Sequence, residues 1–415
     1  MTSPLSRRTV ALAVTGSIAA YKSVILARLL VQAGATVLPV LTRSATRFVG
    51  AVTFAGITGQ TVHEDMWDAS FPGELHVELA GKADLVIVSP ATADVLARFA
   101  AGRADDLVTA LVLCAKGPVL AAPAMHPRMW DHPATQANVA ELARQGRVSL
   151  VGPVNGKVAS GDVGVGRMAE PAEIFAAAEA LLTTRDLDGV RIVVTAGPTQ
   201  EALDPVRYVG NRSSGTMGFK VAERAAMRGA HVTLIAGPVA KETPPGVHRV
   251  DVTHARAMQT ALAEALGPEL TGADALVMVA AVADYRPKDP SVSKLKRSGE
   301  PLTLELVPNA DLLAEIGTLR VQKGTASPVL VGFALETDTG DTLVSHARHK
   351  LAKKNVDLIV ANPADEALGG EDSRAFLVTA STTRDLGPRT KMAIADEILD
   401  FIRDRIAVRG SDLSS

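Results

Sequence analysis

The chain has 415 residues, of which 47% are hydrophobic, enough to build two domains with separate cores. Its formal net charge of -2 lacks the basic excess of nucleic-acid-binding proteins, and no run reaches the roughly 18 apolar residues of a membrane span. A single cysteine, Cys114, excludes an intramolecular disulfide and is typical of the reducing cytoplasm, where we expect a mature protein without a signal peptide.

The first half of the chain alternates short apolar runs with helix-like segments, as in parallel sheets covered on both faces. The predicted strands are residues 10–15, 36–41, 85–89, 119–122 and 148–150, and the predicted helices include 18–33, 91–101 and 134–145. The glycine-rich residues 152–168 have few side chains to bury and predict a mobile flap. Cys114 ends an apolar helix, which predicts a buried, inert thiol.

A helix at 172–182 and a polar link at 183–189 precede a second series of strands, predicted at 190–195, 231–236, 275–279, 329–331 and 357–361. Between them, residues 284–301 mix Pro, Lys, Arg and Ser, the composition of a cationic lid. We therefore predict an α/β protein with two doubly wound, Rossmann-like domains, residues 1–185 and 186–415.

The most informative segment is GPTQEALDPVRYVGNRSSGTMG, residues 197–218, which joins a predicted strand to a predicted helix. Strand-to-helix turns hold phosphates in α/β proteins, and a plain connection needs only about two to six residues. The extra length contains small residues that admit a ligand, together with Arg207, Asn211 and Arg212. This composition predicts a loop that binds an anion and polarises a carbonyl.

A second candidate site lies in the first half. Gly16 and Ser17 follow the first strand, so the amides of Ser17 and Ile18 are expected to face a phosphate from a helix N-terminus. Hydroxyls of Ser44 and Thr92 are expected on the same carboxyl edge of the sheet. There is no GxGxxG motif, and a Gly-Ser turn alone is equally typical of α/β proteins that bind nothing there.

Other segments accompany the long turn: AAVADYR from Ala280, KLK from Lys294, GFALET from Gly332 and KLAKKN from Lys350. Together they resemble the phosphopantothenate-cysteine ligases of bacteria. The resemblance implies that the second half activates 4'-phosphopantothenate with CTP and Mg²⁺, through an acyl-cytidylate, and couples it to L-cysteine.

In the ligase half the resemblance gives Asn211 a catalytic contact with the acyl intermediate. It implies substrate contacts for Arg207, Ala280, Ala281, Asp284, Lys294, Asn309, Ala310, Asp311, Leu312, Leu313, Phe333, Lys350 and Lys354. Lys350 and Lys354 are four residues apart on a predicted helix and therefore share a face. No His/Cys cluster has metal-ligand spacing, so the metal ligands are unknown and Mg²⁺ is expected to bind largely through the triphosphate.

The first half contains GSIAAYK from Gly16, SPATADVLARFAAGRADDL from Ser89, PAMHPRMW from Pro123 and SGDVGVGRM from Ser160. These segments resemble the flavin-dependent phosphopantothenoylcysteine decarboxylases, which implies a flavodoxin-like domain that binds FMN. The implied FMN-binding residues are Gly16, Ser17, Ile18, Ser44, Thr92, Asp94 and Met125. His76 and Ser160 take the implied catalytic positions, and His126 and Met129 lie at the substrate. The flavin would oxidise the cysteinyl thiol, allow CO2 to leave, and return the electrons.

The order of the two halves is similar to that of bifunctional enzymes of coenzyme A biosynthesis. That resemblance further implies trimers of the first half, dimers of the second and a homo-dodecamer, with the three small-molecule substrates as the other partners. Neither half has the GxGxxG motif of a dinucleotide-dependent oxidoreductase, which disfavours that alternative.

Two positions of the first half depart from the family pattern. His126 replaces an asparagine that grips the substrate carboxylate, a task that an imidazolium also performs. Ser160 replaces a cysteine, and a hydroxyl is a much weaker acid than a thiol. The alternative function is therefore an active ligase fused to a weakly active or non-catalytic FMN-binding assembly domain.

Overall fold

The computed structural model describes residues 3–68, 70–296, 302–336, 340–363 and 372–412. The chain divides into two compact units, residues 2–183 and 184–415. The division falls two residues before the boundary expected from the sequence. Of the predicted lid, residues 297–301 lie outside the described residues.

The first unit is built on a parallel sheet with strand order β2-β1-β3-β4-β5, the doubly wound order of flavodoxin-like proteins. Its strands are β1 (Thr9–Val14), β2 (Thr36–Leu41), β3 (Leu85–Ala91), β4 (Val119–Pro123) and β5 (Val148–Leu150). The helices are α1 (Ala20–Gln32), α2 (Ala51–Thr58), α3 (Leu75–Lys82), α4 (Ala93–Ala100), α5 (Leu107–Cys114), α6 (Pro127–Trp130), α7 (Pro133–Gln145) and α8 (Pro171–Leu182). Helices cover both faces, so β1 and β3 are buried and read as continuous apolar runs.

The glycine-rich segment, predicted to be a mobile flap, forms an antiparallel hairpin of β6 (Val154–Lys157) and β7 (Val163–Arg167). A Cβ atom on Gly166 would lie 2.5 Å from the Met125 carbonyl oxygen, and one on Gly164 would lie 2.8 Å from Pro127 Cβ. Met125 also donates its amide to the Gly166 carbonyl at 2.9 Å. The missing side chains therefore let the hairpin pack against residues 125–127, which the prediction overlooked.

The second unit contains a larger sheet with strand order β12-β11-β8-β13-β16-β17-β18-β19. From β12 to β17 the strands are parallel, in the Rossmann order 3-2-1-4-5-6, and β18 and β19 are antiparallel. The strands are β8 (Arg191–Ala196), β9 (Gln200–Ala202), β10 (Tyr208–Gly210), β11 (His231–Ala236), β12 (Val247–Asp251), β13 (Ala275–Met278), β14 (Tyr285–Pro287), β15 (Leu306–Pro308), β16 (Val329–Glu336), β17 (Leu358–Pro363), β18 (Asp372–Val378) and β19 (Thr383–Thr390). The pairs β9–β10 and β14–β15 form separate antiparallel ribbons.

Helices cover both faces of this sheet: α9 (Thr216–Met227), α10 (Ala255–Leu266), α11 (Leu312–Gln322), α12 (Gly340–Lys354) and, last in the chain, α13 (Lys391–Asp412). Side chains of α9 and α13 form the core on one face, and those of α10, α11 and α12 form it on the other. The predicted α/β class with two doubly wound sheets is confirmed. Strands β12 and β19 were not predicted because their partly exposed, charged sequences lack a strong apolar pattern.

The prediction of a buried Cys114 is wrong, because this side chain is exposed. The buried residues of α5 extend from Leu107 to Leu111, and Leu113 in the last turn is 60% exposed. The helix therefore leaves the core before it reaches the cysteine. An apolar composition alone did not indicate which turn of the helix the sheet covers.

Both sheets reverse their strand order beside the first strand of the unit, between β1 and β3 and between β8 and β13. In doubly wound folds ligands bind at the carboxyl ends of the strands at this point. At the second reversal α9 lies very close to β8, since a Cβ atom on Gly218 would be 2.6 Å from Ala196 Cβ and 2.8 Å from the Thr195 carbonyl oxygen.

Gly218→Ala is expected to force α9 away from β8 and to destabilise the second unit by about 1–3 kcal/mol, the usual effect of overpacking. Calorimetry should show a lower unfolding temperature. Gly81→Ala is the matched control, because Gly81 also lies in a helix but its Cβ would meet nothing within 4 Å. Equal unfolding temperatures for the two variants would contradict the close contact.

Candidate functional sites

A cavity of about 860 Å³ opens at the strand reversal of the first unit, within the usual range for small-molecule sites. It is lined by residues that follow β1, β2 and β3, namely Thr15, Gly16, Thr42, Arg43, Ser44, Thr46, Thr92, Ala93 and Asp94, together with residues of the segments 64–67, 105–108 and 129. Thr92 caps α4 by accepting the Val95 amide at 3.3 Å. The remaining amides of the first turn of α4 have no partner within the helix and favour an anion.

Five of the residues predicted for this half line the cavity: Gly16, Ser44, Thr92, Asp94 and Met129. The others, Ser17, Ile18, His76, Met125, His126 and Ser160, lie outside its lining. Helix α1 starts only at Ala20, and the Ser17 amide donates to the Thr15 carbonyl at 3.0 Å. The expected phosphate contact of the Ser17 amide is therefore not available in this conformation.

Arg98 also lines the cavity and was not predicted as a site residue. Its guanidinium lies 2.8 Å from Asp106 and 3.7 Å from Asp94, and it also pairs with Asp105. Asp94 thus has a cation beside its carboxylate. Asp94 and Arg98 are four residues apart on one helix and therefore neighbours, whereas only the fold shows that Asp105 and Asp106 also meet Arg98.

The hairpin brings Ser160 and His126 to one carboxylate, that of Asp162. His126 Nε2 lies 2.6 Å from Asp162 Oδ2, Ser160 Oγ donates to the same oxygen at 3.1 Å, and Arg128 Nη2 lies 3.6 Å away. The hydrogen bonds from His126 and then Ser160 lower the pKa of Asp162. The hydroxyl proton of Ser160 is therefore directed at an ionised carboxylate, which disfavours Ser160 as a proton donor.

In the second unit, β8 and the long turn of residues 197–218 are joined to the segment after β13 by main-chain and hydroxyl hydrogen bonds. Thr195 Oγ1 accepts the amides of Val279 and Ala280 at 3.1 Å each, and the Ala281 amide donates to the Gly197 carbonyl at 2.9 Å. The side-chain amide of Asn211 donates to the Val282 carbonyl at 3.0 Å. Asn211, Ala280 and Ala281, three predicted site residues, thus lie together at the strand reversal.

The loop between β15 and α11 contacts the same segment. Asn309 donates its main-chain amide to the Asp284 carbonyl and its side-chain amide to the Ala283 carbonyl, both at 2.8 Å. Asp311 caps α11 through the Ala314 amide at 3.1 Å, and Lys354 Nζ lies 2.9 Å from the Asp311 carboxylate. The start of α11 is therefore held beside the loop that contains Asp284.

The remaining predicted residues of this half occupy different environments. Leu312 and Leu313 are buried in the core, so only their main-chain amides, at the start of α11, are suited to a ligand. Phe333 is partly buried in β16, Lys350 lies one turn before Lys354 on α12, and Lys294 is exposed in the lid.

Arg207 links the long turn to the lid, residues 284–301, through hydrogen bonds. Its guanidinium donates to buried Asp204 at 2.6 Å and to the Leu295 carbonyl at 2.6 Å, while the Leu295 amide donates to Asp204 at 3.1 Å. Burial would raise the pKa of Asp204, but hydrogen bonds from the Val206 amide, Arg207 and Leu295 outweigh it and hold that pKa well below its ordinary value. A substrate contact of Arg207 stays a prediction, and Asp204, which was not predicted as a site residue, is found only through the fold.

Within the described ranges no group of three or more His, Cys, Asp or Glu side chains is arranged to hold a metal ion. In the same part of the chain no helix combines the length and the apolar character that crossing a membrane requires. The two strand reversals, each with polar groups at the carboxyl ends of parallel strands, define a protein with two separate ligand-binding α/β units.

Comparison with known proteins identifies the family. The flavoprotein family model matches residues 2–183, and the model of the DNA/pantothenate metabolism flavoprotein C-terminal domain matches residues 187–406. The chain is 41% identical to the coenzyme A biosynthesis bifunctional protein CoaBC of Vibrio cholerae, over 97% of this chain and 99% of that protein. Identity to the Mycobacterium tuberculosis protein of the same name is 46%, over 94% of this chain and 96% of that protein.

A crystal structure of the C-terminal domain of a CoaBC protein is 34% identical, covers 54% of this chain and 99% of its own, and superposes with a TM-score of 0.45. From the full-length sequence relatives, the chain belongs to the family of bifunctional coenzyme A biosynthesis proteins. It is an enzyme with ligase and decarboxylase activities, and its first half is a flavoprotein, which confirms the predicted function.

Asp204→Asn is expected to release the lid, because an amide cannot accept all the hydrogen bonds that converge on the carboxylate. Hydrogen exchange of residues 288–296, measured by mass spectrometry, should accelerate on the order of tenfold. A carboxylate with a lowered folded pKa stabilises the protein above its unfolded pKa and loses that effect as the pH falls through the folded value. In the wild type, the protection of residues 288–296 against hydrogen exchange, corrected for the pH dependence of the intrinsic exchange rates, should therefore persist at pH 4.

The matched control is Asp289→Asn, which removes an exposed carboxylate from the same lid. Its exchange should equal that of the wild type. Unchanged exchange in Asp204→Asn, or an equal increase in both variants, would show that Asp204 does not hold the lid.

Proposed function

We propose that residues 1–185 are an FMN-dependent decarboxylase of 4'-phosphopantothenoylcysteine and that residues 186–415 are a CTP- and Mg²⁺-dependent ligase. The ligase would form this substrate from 4'-phosphopantothenate and L-cysteine. The observation that carries the proposal is the gathering of Asn211, Ala280 and Ala281 at the strand reversal of the second unit, with Asn309 and Asp311 held against the same segment.

In the ligase half an acyl-cytidylate needs donors where charge develops on the acyl carbonyl and the phosphates. Asn211 supplies a side-chain amide, and the start of α11 supplies the main-chain amides of Leu312 and Leu313. Lys294, Lys350 and Lys354 supply positive charge for the triphosphate. The amides of Ala280 and Ala281 are engaged by Thr195 and Gly197, so the main chain there would offer its carbonyl oxygens as acceptors to a pyrimidine. Mg²⁺ would bind largely through the phosphates.

The residues of the first unit fit FMN in their donor chemistry. The cavity presents the hydroxyls of Ser44 and Thr92 and the free amides of the first turn of α4 for a phosphate, with Gly16 beside them. Bound FMN would supply reversible two-electron oxidation of the substrate thiol. The protein would position the substrate, with Met129 at the cavity, His126 near the leaving carboxylate and His76 assisting proton movement.

The second candidate function is a ligase joined to a weakly active or non-catalytic FMN-binding assembly domain. The observation that favours it is the hydrogen bond from Ser160 to Asp162, since Ser160 stands where the family has an acidic thiol. The two functions differ in one product, the CO2 released from 4'-phosphopantothenoylcysteine. In either case we propose a cytoplasmic homo-dodecamer of N-terminal trimers and C-terminal dimers, supported by the family resemblance.

Incubation with 4'-phosphopantothenate, cysteine, CTP and Mg²⁺ should give both the ligated and the decarboxylated product by mass spectrometry. Asn211→Ala should slow ligation about 100-fold, as expected for loss of a donor to a developing charge, while the flavin spectrum stays unchanged. Unaltered ligation would remove Asn211 from this role. A wild-type protein that forms neither product would refute the proposed function.

His76→Asn should slow CO2 release from 4'-phosphopantothenoylcysteine about 100-fold, in the range of lost acid-base assistance. His76 is only partly buried in the first turn of α3, so folding and ligation should be preserved. CO2 release should be followed with ¹⁴C-carboxyl-labelled substrate, and ligation of the same preparation serves as the control. Normal release would contradict the assignment, and absent release in the wild type would favour the second candidate function.

A further inference from the structure

At the tip of the β6–β7 hairpin, the carboxylate of Asp162 contacts His126. Two hydrogen bonds and one ion pair converge on Asp162 Oδ2: His126 Nε2 lies at 2.6 Å, Ser160 Oγ donates at 3.1 Å, and the guanidinium of Arg128 lies 3.6 Å away. An imidazole N–H, a hydroxyl and a guanidinium are the groups that proteins use to bind carboxylates. The cluster is thus a carboxylate site, and its occupant is a side chain of the same protein.

The hydrogen bonds of the His126 ring favour the tautomer that donates to Asp162. Its Nδ1 accepts the Arg128 amide at 3.2 Å, so the proton of a neutral ring lies on Nε2, which faces Asp162. Nε2 carries a single proton and therefore serves one carboxylate well. A second carboxylate at the same donor would be repelled by the first, so two anions cannot share His126 favourably.

The Asp162 side chain can leave His126 at little energetic cost. The side chain of Asp162 is 51% exposed, and exposed ion pairs contribute little to stability. The hairpin is held at its base by the bond between the Met125 amide and the Gly166 carbonyl and at its tip by the bond from the Val158 amide to the Asp162 carbonyl, at 2.9 Å each. Rotation of the Asp162 side chain alone would therefore free His126 while the hairpin stays in place.

We propose that Asp162 occupies the carboxylate subsite of the decarboxylase half and that the carboxylate of the substrate displaces it. This inference rests on the proposed function, in which that carboxylate leaves as CO2. The product has no carboxylate, so Asp162 returns to His126 once CO2 has gone. Asp162 is then a specificity-determining residue that competes with carboxylated ligands only.

The test uses two ligands that differ by the carboxylate alone, 4'-phosphopantothenoylserine and 4'-phosphopantothenoylethanolamine. Neither has a thiol to oxidise, so neither turns over. Their dissociation constants are measured on the full-length, FMN-loaded protein from the change in flavin absorbance, which reports only on the flavoprotein half. Asp162→Asn should bind the serine ligand about three- to fivefold more tightly than the wild type and the ethanolamine ligand equally well.

Three further substitutions sharpen the comparison. Asp131→Asn removes an exposed carboxylate just after α6 and has no contact with His126 among the hydrogen bonds of the described residues, so both affinities should match the wild type. In a His126→Asn background the effect of Asp162→Asn should shrink to less than half, because the shared donor is gone. Asp162→Ala should repeat the result of Asp162→Asn.

The outcomes separate the two proposals. If the serine ligand leaves the flavin spectrum unchanged in every variant, the proposed function fails. If it binds the wild type and Asp162→Asn equally, or binds Asp162→Asn more weakly, Asp162 does not compete for the subsite. Parallel changes in the affinity of both ligands would show that Asp162 merely supports the hairpin, and would also overturn the inference.

Discussion

The ligase half depends on one constraint, the satisfaction of main-chain polar groups where β8 and β13 end side by side. Beyond the last ladder bonds, the chain after β13 leaves the sheet, and its amides need new partners. Thr195 and Thr199 supply them, with hydroxyls that accept the amides of Val279, Ala280 and Ala283. These bonds fix the segment beside the long turn at the carboxyl ends of the two strands, where doubly wound folds bind their ligands.

The close approach of α9 to β8 contributes to the same site. Only a residue without a side chain fits at Gly218, and the helix then starts directly behind the turn that contains Asn211. Asn211 in turn binds the Val282 carbonyl, so the turn and the segment after β13 support each other. The site is therefore built mainly from main-chain groups and short side chains. This explains why small residues dominate its sequence.

In the first half, glycine has a different consequence. The hairpin lies against residues 125–127 because Gly164 and Gly166 leave room, and this contact delivers Asp162 and Ser160 to His126. His126 and Ser160, the two residues that the sequence resemblance singled out, thus meet at one carboxylate. They belong to one local network, in which Asp162 is the third member.

Much of this could be read from the sequence. Apolar periodicity located the central strands of both sheets, because a strand buried on both faces must be apolar throughout. The unusual length and composition of residues 197–218 located a ligand loop, and the motifs indicated the family. Edge strands such as β12 were not predicted, because a partly exposed strand does not need to be apolar throughout. The hairpin was not predicted either, because it packs against a segment about 40 residues away rather than through its own side chains.

What the amino-acid sequence determined by itself is the local chemistry: which segments must be buried, where the chain turns, and which side chains are available as acids, cations and donors. Only the tertiary structure decided which of these groups meet. Asp204 became the support of the lid through Leu295, Arg98 the partner of Asp105 and Asp106, and Asp162 the partner of His126. These pairings join residues of different helices and loops, whose proximity is set by the tertiary fold and leaves no periodic signal along the chain.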